Sequence, residues 1–190
     1  AFIRDALEGF LMQRVDFLYE ILIYDDASTD KTPEIIREYA DRYPDVIKPI
    51  LQTENQYSRG ISNTSIFNFS RVSGKYVAMC EGDDYWTDPN KLAMQVAYLE
   101  RHPGCTLCFH SARNMSVDGS KTERYVRPYR KNRIVTPQEI VDKTSGYPTA
   151  SLTFPADIIK ELPDYYLKGP VGDIPMQLMM ADKGYAYYID

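Results

Sequence analysis

Apolar residues recur at Phe2, Ile3, Ala6, Leu7, Phe10 and Leu11, the stripe of a helix laid on a core, so the spacing predicts that the chain opens inside a helix. Glu20-Ile21-Leu22-Ile23-Tyr24 is a short apolar run that stops at Asp25-Asp26-Ala27-Ser28-Thr29-Asp30, the pattern of a buried strand feeding a polar loop. Thr32 as N-cap and Pro33 at the first helical position start a second helix, with Ile35, Ile36, Tyr39 and Tyr43 facing inward and Pro44 ending it. Val46 to Leu51 predicts a strand, and Pro49 within it cannot donate to a ladder, which places this strand at a sheet edge.

Between residues 55 and 74 the apolar positions Ile61, Ile66, Phe67 and Phe69 predict a loop and then a helix closed by Gly74. Lys75 to Cys80 reads as another strand, running into Glu81-Gly82-Asp83-Asp84. Asp88 then caps a helix begun by Pro89, with Leu92, Val96 and Leu99 inward and His102-Pro103 stopping it, and Cys105 to His110 reads as a strand. Alternating strands and helices predict an α/β layer fold with a mostly parallel sheet.

Beyond residue 112 the pattern changes. Asp118-Gly119 reads as a turn, Thr136-Pro137-Gln138-Glu139 as a capping box, and Ala150 to Phe154 as a strand. Lys168 to Asp173 is a turn-rich loop before a short helix from Ile174 to Asp182, and Tyr185 to Ile189 is a final strand. No repeat or long linker interrupts the chain, so residues 1–190 read as one domain.

Composition narrows the partners. With 22 basic against 27 acidic residues the net charge is -5, which leaves no overall positive field for nucleic acid. No apolar run approaches the roughly 18 residues of a membrane span, and the first residues lack the pattern of a signal peptide. Three cysteines do not make a disulfide framework, so a reducing, cytoplasmic setting is expected. Sixteen tyrosines suit rings that line a site or half-buried strands.

The chemistry gathers at two strand ends. In open α/β sheets ligands bind beyond the carboxyl ends of the strands, where Asp25 and Asp26 follow one strand and Glu81, Asp83 and Asp84 another. Such dense carboxylates repel one another, which suggests a divalent cation or a set of ligand donors between them. Taken singly, Asp25 and Asp30 also suit turn and cap positions. Two acidic loops on one sheet weigh towards a site.

These residues carry a resemblance. Ile23-Tyr24-Asp25-Asp26-Ala27-Ser28-Thr29-Asp30 resembles the Asp-Asp-x-Ser-x-Asp segment of the family 2 glycosyltransferases, and Glu81-Gly82-Asp83-Asp84-Tyr85-Trp86 resembles their Asp-x-Asp (DXD) metal motif. Gly172-Asp173-Ile174-Pro175 looks like the later loop that supplies their catalytic base. The resemblance implies a GT-A, Rossmann-like three-layer sandwich and an inverting hexosyltransferase that uses a nucleotide-diphosphate sugar, with UDP the commonest carrier. It implies nucleobase recognition by Asp26 with Asp25 beside it, and Glu81 facing the ribose or a metal-bound water. It further implies Asp83 on Mn2+ or Mg2+, Asp84 supporting the motif, and Asp173 as the base. Residues 1–112 would form the nucleotide-sugar half and 113–190 the acceptor half, acting on a saccharide or lipid-linked acceptor in polysaccharide or glycan biosynthesis. The family's pattern begins with a strand ahead of the first helix, so the N-terminal strand is expected to be missing, leaving the Glu20 to Tyr24 strand with an open edge. Self-association or weaker nucleotide binding is expected to follow.

Other features are less specific. Trp86 either packs under the acidic loop or stacks on a sugar. His102, Cys105, Cys108 and His110 have zinc-like spacing, but strand alternation would turn Cys105 and Leu107 one way and Thr106 and Cys108 the other. The basic residues Arg124, Arg127, Arg130, Lys131 and Arg133 form a solvated loop or meet a lipid-linked phosphate at a membrane surface. Two other functions compete with transfer. One is non-catalytic binding of a nucleotide sugar; the other is a Mg2+-binding phospho-receiver, which would need a lone phosphorylatable Asp and a later Lys.

Overall fold

The opening stripe forms α1 (Ile3–Leu11), with Ile3, Ala6 and Leu7 buried in a computed structural model that describes residues 2–61, 65–116, 124–142, 147–167 and 173–190. The apolar run forms β1 (Ile21–Asp25), whose burial alternates along the strand, and α2 (Thr32–Arg42) returns to β2 (Ile47–Leu51). β1 and β2 are parallel, and among the described residues β2 has β1 on one side only, the edge position that Pro49 requires. Ile3, Ala6, Leu7, Ile21, Ile23, Ile36, Tyr39 and Ile47 close over this unit as one core. Thr32 is the first residue of α2 and not its cap; Asp30 receives its amide N–H at 2.9 Å instead.

A short helix, α3 (Ile66–Phe69), precedes β3 (Tyr76–Ala78). Next come α4 (Lys91–Arg101), β4 (Cys105–His110) and a small antiparallel hairpin of β5 (Ala112–Asn114) and β6 (Arg124–Val126). β7 (Arg133–Val135), α5 (Pro137–Asp142), β8 (Thr153–Pro155), α6 (Asp164–Leu167), α7 (Asp173–Lys183) and β9 (Tyr185–Ile189) complete the chain. The capping box at α5 holds: Glu139 accepts the Thr136 amide N–H at 3.0 Å, and Thr136 Oγ1 accepts that of Glu139 at 3.3 Å.

The second sheet corrects the expectation of mostly parallel strands. Its order is β3-β8-β4-β9-β7, and β8 runs antiparallel to both neighbours while β7 runs antiparallel to β9. Only β4 and β9 are parallel within it. The cause is topological: β8 returns from the far half of the chain and inserts between β3 and β4, so strands adjacent in sequence are not adjacent in the sheet. Leu107, Phe109, Leu152, Phe154, Met180 and Tyr188 are fully buried in the core beneath it. A bulge between Cys105 and Leu107 breaks the expected alternation in β4, so that Cys105 and Cys108 share one cluster with Leu99. β5, β6 and β7 carry no sequence period that predicts them, and the Asp118-Gly119 turn lies outside the described residues. β1 and β3 belong to different sheets, and a cleft opens between them.

Candidate functional site

The first acidic loop is built by turn chemistry at the end of β1. Asp25 is 5% exposed, and its carboxylate accepts the Ser28 amide N–H at 3.2 Å. Ala27 turns the chain at φ +60°, a left-handed conformation that side chains disfavour. Asp26 reaches across to the segment after β2, accepting amide N–H groups from Gln56 at 2.7 Å and Tyr57 at 3.0 Å and the Tyr24 hydroxyl at 3.0 Å. Burial pushes the Asp26 carboxyl up, but those amides outweigh it and hold the carboxyl below its ordinary value. Tyr24 is correspondingly pushed up to about 12, by burial first and by Asp26 second. Asp26 therefore organises the 54–59 segment, and about one of a carboxylate's roughly four acceptor sites stays open to a ligand.

The second acidic loop follows β3. Glu81, Asp83 and Asp84 are all exposed, and the Asp84 amide N–H closes a turn onto the Glu81 carbonyl at 3.1 Å. Burial first and repulsion from Asp83 second raise the Asp84 carboxyl above its ordinary value.

Trp86 fastens this loop to the body. It is 8% exposed; its indole N–H donates to the Ala150 carbonyl at 2.7 Å and its ring meets Phe10 edge-on at 4.7 Å. α1 passes so close that a Cβ on Gly9 would lie 2.8 Å from the Trp86 carbonyl oxygen, so only glycine fits there. The packing reading of Trp86 agrees with this burial, and the residue also contributes to the lining of the cleft between β1 and β3.

Both loops border the cleft between β1 and β3, about 1200 Å3 in volume, whose lining includes Asp25, Asp26, Glu81 and Asp83 together with Ile21, Ile23, Tyr76 and Val77. Asp84 is not among its lining residues. No cluster of three or more His, Cys, Asp or Glu converges among the described residues. The donors present are hard carboxylate oxygens, which fits Mg2+ or Mn2+ held by one or two carboxylates and completed by phosphate oxygens of a ligand. Asp173 is the first residue of α7; Gly172 before it lies outside the described residues.

Several of the remaining candidates have protein partners. His102 stacks on Tyr98 at 4.0 Å and its Nδ1 pairs with the Tyr98 carbonyl, while His110 Nδ1 pairs with the Ser111 carbonyl. In the basic run, Arg127 pairs with Asp190 and Arg133 with Glu139 at 2.6 Å.

Sequence reasoning missed a polar network beneath the acidic loop. Lys91 and Gln95 are 3% and 1% exposed; the Lys91 amine donates to Gln95 Oε1 at 2.7 Å and lies 4.1 Å from the Trp86 ring centroid. Gln95 donates to the Cys108 and Ser151 carbonyls at 3.1 and 2.9 Å. Gln13 ties in α1 by donating to the Asp88 carbonyl at 2.8 Å and accepting the Leu92 amide at 3.1 Å. The available signal was Lys91 and Gln95 at i and i+4, beside the inward positions Leu92 and Leu99 of an apolar helix face.

A model of the family described as glycosyl transferase family 2 matches residues 1–154. Uncharacterized protein Rv1520 of Mycobacterium tuberculosis is 51% identical over 124 residues, covering 65% of this chain and 35% of that protein. UDP-Glc:alpha-D-GlcNAc-diphosphoundecaprenol beta-1,3-glucosyltransferase WfaP of Escherichia coli is 32% identical over 81 residues, covering 43% of this chain and 30% of its own length. The chain thus spans about a third of the length of these relatives. Among solved structures, residues 1–349 of Staphylococcus aureus TarS superpose with a TM-score of 0.62 at 19% identity, over 99% of this chain and 56% of that one. The fold is shared; the sheet within it is mixed.

Proposed function

Because the chain belongs to glycosyl transferase family 2, whose model matches most of its length, we propose that it forms the donor-binding part of an inverting glycosyltransferase acting in glycan or polysaccharide assembly. The observation that carries this reading is that acidic loops from two separate sheets border one cleft, with Asp25, Asp26, Glu81 and Asp83 in its lining. Asp25 and Asp26 hold the nucleoside end, where Asp26 already shapes the 54–59 segment. Glu81 faces the ribose side, and Asp83, supported by Asp84, holds Mn2+ or Mg2+. The cation supplies positive charge to a diphosphate leaving group. UDP is the proposed carrier, in keeping with the UDP-glucose in the name of WfaP.

Asp173 takes the proton of the attacking acceptor hydroxyl, a role that inversion requires of a carboxylate on the acceptor side. Residues 1–112 serve the donor and 113–190 the acceptor, a saccharide or a lipid-linked saccharide. No described helix is long and apolar enough to cross a membrane; the proposal places contact with a lipid-linked acceptor at the cytoplasmic face of the membrane. Pairing of Arg127 and Arg133 within the protein weakens the case that those two residues meet lipid phosphate.

Calorimetry tests the reading. UDP should bind at least about tenfold more tightly in Mn2+ than in EDTA, a gain of about 1.4 kcal/mol, and Asp83→Ala should remove that difference. Equal affinity in both buffers would exclude the metal role. Tight metal-dependent binding of UDP-sugars without turnover would favour the non-catalytic alternative.

A further inference from the structure

We infer that Lys91 is a positioning residue of the acidic loop, its amine holding the Trp86 ring, and with it residues 81–88, against α4 and β8. The amine lies 4.1 Å from the ring centroid and donates to Gln95 Oε1 at 2.7 Å and, more distantly, to Thr153 Oγ1 at 3.4 Å. Thr153 in turn donates to Gln95 Oε1 at 2.8 Å. Gln95 is itself fixed by carbonyls of β4 and of the turn before β8. One buried group thus joins the loop's only tryptophan to two elements of the second sheet.

Packing alone does not call for an amine here. An unbranched apolar side chain would fill much of the same space without the cost of desolvating a charge. What the amine adds is attraction to the ring face, strengthened by burial, and directed hydrogen bonds. Glu81, Asp83, Asp84 and Tyr85 ahead of Trp86 are all exposed, so Trp86 is the buried side chain of this segment through which the body can hold the loop.

The contact is also sensitive to protonation. Burial pushes Lys91 down to about 7, opposed weakly by the Cys80 and Cys108 thiols. Those thiols are themselves pushed up to about 12. His110, at the end of β4, is pushed down to about 4, by burial first and by Lys91 second, with Asp88 opposing. Around neutral pH the group facing Trp86 that changes charge is therefore Lys91, and its protonated form grips the ring more strongly.

Trp86 is the single tryptophan of the chain, so its fluorescence reports this contact directly. In the unmodified protein the emission should change between pH 5 and 9 with a midpoint near 7 while circular dichroism stays constant. Lys91→Met should abolish that transition and raise acrylamide quenching of Trp86 about twofold or more, as the ring loses a cation–π contact. The consequence for the donor rests on the function proposed above: UDP should bind the variant about tenfold more weakly in Mn2+. If UDP binds neither protein but the fluorescence differences appear, the donor reading fails and the anchoring stands. If both bind UDP alike and quench alike, the anchoring is wrong. Should Lys91→Met fail to fold, Lys91→Gln takes its place, and acrylamide quenching of Trp86 equal to the parent's in that variant overturns the inference.

Discussion

Ala27 sits at φ +60° between Asp26 and Ser28, where an L residue pays roughly 1–2 kcal/mol that glycine avoids. Glycine loses about 0.4–1 kcal/mol through its freer unfolded state, so Ala27→Gly should be neutral or stabilising by up to about 1.6 kcal/mol. Ala27→Val should destabilise by about 2 kcal/mol or more, because a β-branched residue is an outlier at positive φ. Urea melts of the two variants, read with UDP binding, check this; a Val variant as stable as the parent would show that the loop has another conformation. The same strain explains how two adjacent aspartates take different tasks. Asp25 stays buried as a turn acceptor, while Asp26 swings out to the amides of Gln56 and Tyr57.

At the scale of elements, α4 carries a conflict that shows in its pH dependence. Its first residue is a lysine buried and held near 7, well below the ordinary value. Above that value the unfolded chain holds a proton that the folded chain has lost, so stability should rise as pH goes from about 7 towards 10 and be lost as pH falls back through 7. Thermal unfolding across that range should show the rise in the parent and its absence in Lys91→Met. A parent whose melting temperature falls steadily from pH 7 to 9.5 would contradict the burial of a titrating lysine. Two helix starts bear on what was legible at this scale. Thr136 and Glu139 satisfy each other locally, so the box that opens α5 is visible in sequence. Asp88 and Pro89 promise an earlier start to α4 than the one at Lys91; Asp88 instead receives the Asn90 amide at 2.8 Å in a turn, because the chain must still descend from Trp86 into the core.

For the molecule as a whole, the transfer proposed above would bring a base from the later part of the chain to the cleft. Asp173→Asn keeps a side chain of the same shape at the head of α7 but cannot take a proton, so sugar transfer in an active preparation should fall about 100-fold or more. UDP affinity and melting temperature should stay near the parent's. Near-normal turnover would make Asp173 a helix-start residue and move the base elsewhere. The family match over residues 1–154 also sets aside the phospho-receiver alternative, which shares with this chain only an acidic pair after an early strand. The sequence by itself determined most of the strands and helices and the two acidic strand ends, because apolar periodicity encodes which face of each element is buried, and abrupt acidic ends to apolar runs mark where strands deliver polar groups. Only the tertiary structure decided that β8 enters antiparallel between β3 and β4, since strand partners are chosen by long-range packing that leaves no local period. It alone joined Lys91, Gln95, Thr153 and Trp86, residues as far as 67 positions apart in the chain, because a buried polar network is specified by partners that meet only after the sheet has formed.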